Sequence, residues 1–174
     1  MSSTPWIDGW SPGGKNKQLS KNKLRTRIRQ FLAEHTTLTL ATVGEDGQPQ
    51  AASLFFAEMD DLSLIFISDK QVRHSQNIAR NSRVAATIYA DGQQWQTIRG
   101  LQLEGVCTEL SGQAVKAAKA VYLAKYPFIS RNALLTAMLL RVTFYKITPT
   151  WLRLIDNSQG FGHKEELRLH SLHS

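Results

Sequence analysis

The chain has 174 residues, 42% of them hydrophobic and 20% charged, with a formal charge of +7. That length suits one domain, which buries roughly 70% of the surface its unfolded chain exposes, and the composition excludes wholesale disorder. Mean hydropathy is −0.27, and no apolar run approaches the ~18 residues of a membrane-spanning helix.

Residues 1–17 hold Pro5, Pro12, Gly9, Gly13 and Gly14 and are expected to form a flexible N-terminal arm. Residues 18–174 are expected to form a single domain. In the segment 20–34, Leu24, Ile28, Phe31 and Leu32 share one helical stripe, with Ser20 placed as an N-cap. The run 37–43 alternates and is β-branched, 44–48 reads as a turn, and 49–59 as the returning hairpin arm. Asp60 and Asp61 turn the chain into a buried strand over 62–68. A helix is predicted over 69–80, with Ser68 and Gln71 at capping-box spacing. Strands follow at 83–90 and 96–110. Ser111 is placed as the cap of a helix that Pro127 stops, and 130–140 reads as a second helical piece. The segment 142–156 is mainly strand, split at Pro149 into an edge strand and an extended stretch. A polar tail closes the chain. Closely spaced strands with few helices predict a mainly β fold, an antiparallel barrel with flanking helices.

The charge is unevenly placed. Seven of the 21 basic residues and one of the 14 acidic ones precede Gln30, so the body is nearly neutral. Residues 15–29 form a basic arm that could meet phosphates or an anionic surface, but a solvated polar face explains it as well. A nucleic-acid partner is therefore not the expectation. The N-terminus shows no basic-then-apolar leader, and the single cysteine, Cys107, has no partner for an internal bridge. A cytoplasmic protein without a membrane contact is the default. The five histidines lack metal-ligand spacing, so no metal site is expected, and Cys107 reads as an inert core thiol.

The chemistry concentrates where the strand ending at Ser68 meets the following helix. A helix N-terminus there offers backbone N–H groups to an anion, and Lys70, Arg73 and His74 crowd its start. Cations at that end oppose the helix dipole at a cost of ~0.3–1 kcal/mol each, which a bound phosphate would reverse. Phe66, Ser68, Asp69, Arg73, Asn77, Ile78, Asn81, Arg83 and Val84 form a pattern that resembles the pyridoxamine-phosphate-oxidase-related, FMN-binding split-barrel family. The resemblance runs over residues 37–111 and returns in 144–167, where it is to a small bacterial subgroup. It implies a six-stranded antiparallel split β-barrel over roughly 36–156 and a homodimer with FMN at its interface. Arg73 and His74, with Lys70 as a substitute, would hold the phosphate. Ser68 would meet the phosphate or ribityl chain, and the strand bearing Ala52 and Ser53 would run beside the flavin ring. Gln94 and Trp95 would reach the cofactor from the second subunit, and Trp151, with Arg153, would close its end.

That resemblance implies an FMN-dependent oxidoreductase or reductase exchanging electrons with a small-molecule donor or acceptor; no catalytic residue is assignable. It does not extend to the oxidation of pyridoxamine phosphate. That chemistry uses an R-x-H pair, and here Arg168 and His170 stand in the tail without the segment that follows the pair in those oxidases. Two alternatives remain: a haem-binding split barrel with His35, His74 or His163 as axial ligand, and an anionic-surface or nucleic-acid binder using residues 15–29.

Overall fold

The computed structural model describes residues 12–169, with side chains from residue 18 onward. Helix α1 (Pro12–Glu34) is followed by β1 (Thr37–Val43), β2 (Pro49–Phe55), β3 (Ala57–Glu58), β4 (Leu64–Ser68), α2 (Arg73–Arg80), β5 (Arg83–Tyr89) and β6 (Arg99–Glu109). Then come α3 (Gln113–Lys125), α4 (Pro127–Ser130), α5 (Ala133–Met138), β7 (Thr143–Asp156), a 3-10 turn at Asn157–Gln159 and β8 (Lys164–Arg168). Residues 12–17 of the expected loose arm continue α1, so Ser20 lies inside the helix and caps nothing; residues 1–11 lie outside the described residues. The stripe read from the sequence is the buried one: Leu24, Ile28, Phe31 and Leu32 all pack into the main core.

Every strand pairing is antiparallel, and the order is β2-β1-β5-β6-β7-β4-β3, with β8 added on β7. Only Phe56 separates β2 from β3, so the chain itself joins the two ends of the sheet. The sheet is thereby closed beside Phe56 and open between Pro49 and Ser68, where α2 fills the split. Asn77 of α2 fastens that filling: its Nδ2 donates to Thr42 Oγ1 at 3.0 Å and to Gln50 Oε1 at 3.2 Å. Inside lies a core that includes Leu38, Leu40, Phe66, Leu103, Ile147 and Leu152. A second core, with Ile65, Tyr122, Tyr126 and Phe144, forms outside the barrel, beneath α3–α5.

Eight strands stand where six were expected. One addition is the two-residue β3, and the other is β8, made from the supposed polar tail. The segment expected as an edge strand and an extended stretch is one continuous strand, Thr143–Asp156, although it contains Pro149. Over Thr143–Ile147 it pairs β4, and over Trp151–Ile155 it pairs β8. Pro149 therefore falls where one partner has ended and the next has not begun, and its missing N–H costs no ladder bond on that side. On the other side Thr150 is the extra residue of a bulge, with Glu104 paired to Trp151 and Gly105 to Pro149. The chains approach so closely there that a Cβ on Gly105 would sit 2.3 Å from Thr148 O. Two predicted caps are also absent. The N-cap of α2 is Val72 and that of α3 is Gly112, neither with a side-chain cap bond.

Candidate functional site

The start of α2 separates residues that adjoin in sequence. His74, Ser75, Asn77 and Ile78 are buried and Arg73 is exposed, as a 3.6-residue period requires of a helix lying against a sheet. His74 thus points inward. Its Nε2 lies 2.7 Å from Ser68 Oγ, and its ring meets Phe66 edge-on. Burial lowers its pKa, so the ring is held neutral. The Ser68 hydroxyl is engaged by His74 Nε2 and the Asp69 carbonyl, and the Asp69 carboxylate accepts from Gln71 N–H at 2.8 Å. That turn displaces the capping box. Lys70 is also engaged: it pairs with Glu109, and that hydrogen bond raises its pKa.

Arg73 differs. Among the described residues it has no ion-pair or hydrogen-bond partner. Its guanidinium lies beside the β1–β2 turn, with NH2 3.9 Å from where a Gly44 Cβ would stand. The nearby Ser75 hydroxyl is buried without a partner among the described residues. An uncapped helix start and a free guanidinium in its first turn suit an anion better than they suit each other; the Ser75 side chain leaves the helix on the buried side, away from Arg73. The donor set fits a phosphate.

The other expected residues are dispersed: all but Ala52 lie on the outward face of the sheet or at its far end. Ser53 faces outward opposite Thr39, which in turn faces Thr87. Ala52 faces the other way, opposite Leu40. Thr39, Ala41, Ala51, Ser53, Ala85 and Thr87 give this outward face a floor of small side chains, flanked by the exposed apolar Val43, Tyr89 and Val106. Gln94 and Trp95 sit in the β5–β6 loop. Trp95 is 61% exposed, meets Phe161 edge-on, and its carbonyl accepts from Asn157 Nδ2 at 2.7 Å. The sheet register puts that loop near Thr37, and Arg73 near Val43 at the other end of β1. Seven residues of strand hold the two about 20 Å apart. One chain therefore does not bring its Arg73 and Trp95 together.

Trp151 and Arg153 line an open groove of about 590 Å³ on the same face, with Gln102, Glu104, Glu166 and Arg168. Glu166 orders them: it accepts from Trp151 Nε1 at 3.1 Å and from Arg153 NH2 at 2.7 Å, and the guanidinium lies over the indole at 4.8 Å. The sequence reading missed Glu166 because it treated 157–174 as a polar tail. Arg168 belongs to β8; His170 and His173 lie outside the described residues.

His35 was named only as a haem alternative. Its Nδ1 is 2.7 Å from Phe31 O, its ring stacks on Phe31, and it lines a groove of about 390 Å³ with Thr39, Ser53, Thr87 and Tyr89. His163 contacts Glu165 at 3.3 Å. Cys107 is buried and its pKa is pushed up to about 12, so its thiolate is inaccessible at neutral pH. In the basic arm, Arg27 pairs with Glu165 and Asp156, and Arg29 with Asp60. Among the described residues no helix is long and apolar enough to cross a membrane.

Comparison with known proteins agrees with the architecture. The UPF0306 protein YhbP of Salmonella schwarzengrund is 29% identical over 140 residues, 80% of this chain and 89% of its own length. A heme-binding protein from Mycobacterium smegmatis superposes with a TM-score of 0.67 at 17% identity, over 83% of this chain and 57% of that one. HutZ, a heme storage protein of Vibrio cholerae, gives 0.56 at 19%, over 71% and 88%. These structural likenesses speak for the split-barrel fold. The family model for pyridoxamine 5'-phosphate oxidase matches residues 24–156, the whole span from the buried face of α1 to the end of β7, and the chain belongs to that family.

Proposed function

We propose that this chain is a flavoprotein that holds FMN between two copies of itself, with the phosphate received at the start of α2. The observation that carries the reading is the free guanidinium of Arg73 at the uncapped start of α2. Arg73 supplies charge-assisted hydrogen bonds to the phosphate, and the first-turn N–H groups add to them. The small side chains at Ala51 and Ser53 let a planar ring approach β2. A second copy laid antiparallel on the same outward face would bring its Gln94 and Trp95 toward this chain's Arg73. The exposed Val43, Tyr89 and Val106 support burial of that face. FMN, when bound, supplies electron transfer to or from a small molecule.

Titration of the protein with FMN and with riboflavin tests this. A charged hydrogen-bonding partner contributes ~1.5–3 kcal/mol, so Arg73→Ala should weaken FMN by roughly ten- to a hundred-fold and leave riboflavin, which lacks the phosphate, nearly unchanged. Equal FMN affinity in the two proteins would remove the phosphate site.

Haem is the second reading, and His35 is what favours it. A histidine whose Nδ1–H is fixed on a backbone carbonyl presents Nε2 as a ligand, and the His35–Phe31 bond has that form. Two of the structural relatives bind or store heme by name. Hemin titration decides between the readings: a Soret band that His35→Ala abolishes supports haem, and no Soret change on addition of hemin excludes it.

A further inference from the structure

Only half of α1 is used by the fold. Its packing residues, Leu24, Ile28, Phe31 and Leu32, all lie in the C-terminal half. Residues 12–23 carry the helix about 18 Å beyond them, and the side chains of 18–23 are all exposed. Leu19, the one hydrophobic residue of that stretch, is itself on the surface. From residue 12 to residue 33 the chain holds seven Lys and Arg residues and no Asp or Glu.

Such a stretch has little to keep it helical. A helix that is polar on every side is normally laced with opposite charges four residues apart. Here Lys17, Lys21, Arg25 and Arg29 follow one another at that spacing, and Lys23 precedes Arg27 in the same way, so every such pair repels. The first turn has no acidic residue to meet the positive end of the helix dipole. The two arginines nearest the barrel find carboxylates, Arg27 in Asp156 and Glu165 and Arg29 in Asp60. Lys21, Lys23 and Arg25 have no ion-pair or hydrogen-bond partner for their side chains among the described residues. A solvated face would mix signs; this one is what a negatively charged partner would complete.

We propose that residues 15–25 of α1 bind the phosphate backbone of double-stranded nucleic acid without reading its sequence. The placement of the cations favours a groove over a flat surface. At 3.6 residues per turn, Lys21 and Arg25 leave one flank of the helix and Lys23 the other. A helix ~10–12 Å across enters a major groove ~12 Å wide, where cations on both flanks meet the phosphates of both walls. An anionic membrane would need the cations on one face and an apolar stripe opposite, and the stripe of α1 is buried in the core. Single strands are held by aromatic platforms, and no Phe, Tyr or Trp occurs between residues 12 and 30. Contacts to phosphate position a protein on the duplex but carry no sequence information. The site does not depend on the flavin reading.

Fluorescence anisotropy of the full chain with a labelled duplex of arbitrary sequence, two helical turns long, tests the proposal without any cofactor. Each neutralised phosphate adds about −0.9 to the slope of log K against log salt. Lys21, Lys23 and Arg25, with Lys15 and Lys17 on the same helix, allow three to five contacts and a slope of roughly −3 to −4.5. Affinity should then fall roughly 40- to 500-fold between about 50 and 200 mM salt. Replacing Lys21, Lys23 and Arg25 together (Lys21→Gln, Lys23→Gln, Arg25→Gln) should flatten the slope by roughly 2.7 while the melting temperature holds. Lys21→Gln with Lys23→Gln alone, both ahead of the core stripe, should flatten it by roughly 1.8. Lys116→Gln with Lys119→Gln, on α3, should leave it as in wild type. The proposal is overturned by an absence of binding at about 50 mM salt, by equal slopes in wild type and the Lys21, Lys23 variant, or by a slope that the α3 variant flattens as much. It also falls if polyglutamate or a single strand of the same length binds as tightly as the duplex, because the helix is then a contact for acidic chains at large.

Discussion

Lys125 is the residue whose loss should be felt across the most elements. It ends α3, and its Nζ donates to the Leu32 carbonyl of α1 at 3.1 Å, pairs with Glu58 of β3, and lies 4.3 Å from the centre of the Phe56 ring. Both partners of the ion pair are largely buried, with side-chain exposures of 13% and 20%. Burial lowers the Lys125 pKa against the raising effect of Glu58, so desolvation offsets much of what the pair gains. Breaking such a pair is nevertheless expensive, ~3–5 kcal/mol, because the remaining charge is stranded, whereas removing both charges is often close to neutral. Partial exposure here argues for the lower end. Lys125→Ala should therefore lose about 3 kcal/mol, a fall of roughly 6–12 °C in Tm at this chain length. The double variant Lys125→Met with Glu58→Gln should stay within ~1 kcal/mol of wild type. Denaturant unfolding followed by circular dichroism measures both. A single variant that loses under ~1 kcal/mol, or a double variant that loses as much as the single, would refute the account of a paired, desolvated charge.

Two further outcomes are expected. Gly105→Ala drives a Cβ to 2.3 Å from a backbone oxygen that cannot swing aside; overpacking of this kind costs ~1–3 kcal/mol, and a Tm within 1 °C of wild type would show that the bulge absorbs it. His74 has its pKa lowered by burial, so the unfolded chain binds the proton more readily. Stability should then be whole above the ordinary histidine value of ~6.5 and decline as pH falls from there toward the lower folded-state value. The slope is at most ~1.4 kcal/mol per pH unit, and it should flatten in His74→Phe; an unchanged pH slope in that variant would remove His74 as its source.

The sequence announced what depends on neighbours in the chain. Alternation in 37–43 marked β1, the stripe of Leu24, Ile28, Phe31 and Leu32 marked the buried face of α1, and the turn at 44–48 marked the first hairpin. It concealed what depends on distant contacts. Pro149 looks like a strand breaker until β4 and β8 are seen to end on either side of it. The stretch 164–168 carries one inward leucine, Leu167, among charges, too weak a signal for a strand without β7 beside it. At the candidate site, Arg73 was legible because helix period alone exposes it. The pairing of Lys70 with Glu109, 39 residues away, was not. The His74–Ser68 bond bridges a non-helical turn that capping-box spacing had misread.

The late strand β8 has a consequence for how copies of this chain can meet. Without it, β7 would present open backbone donors and acceptors from Trp151 to Ile155, about 17 Å of template on which another molecule could add a strand. With it, the outermost ribbon reads Lys164, Glu165, Glu166, Leu167, Arg168, a short edge with four charges in five residues, the kind of edge that resists the addition of another strand. Lateral growth of the sheet into open-ended aggregates is discouraged, while the small-residue face of β1, β2 and β5 carries no such barrier. The final strand thus leaves broadside contact between sheets as the less obstructed route by which copies of this chain could meet.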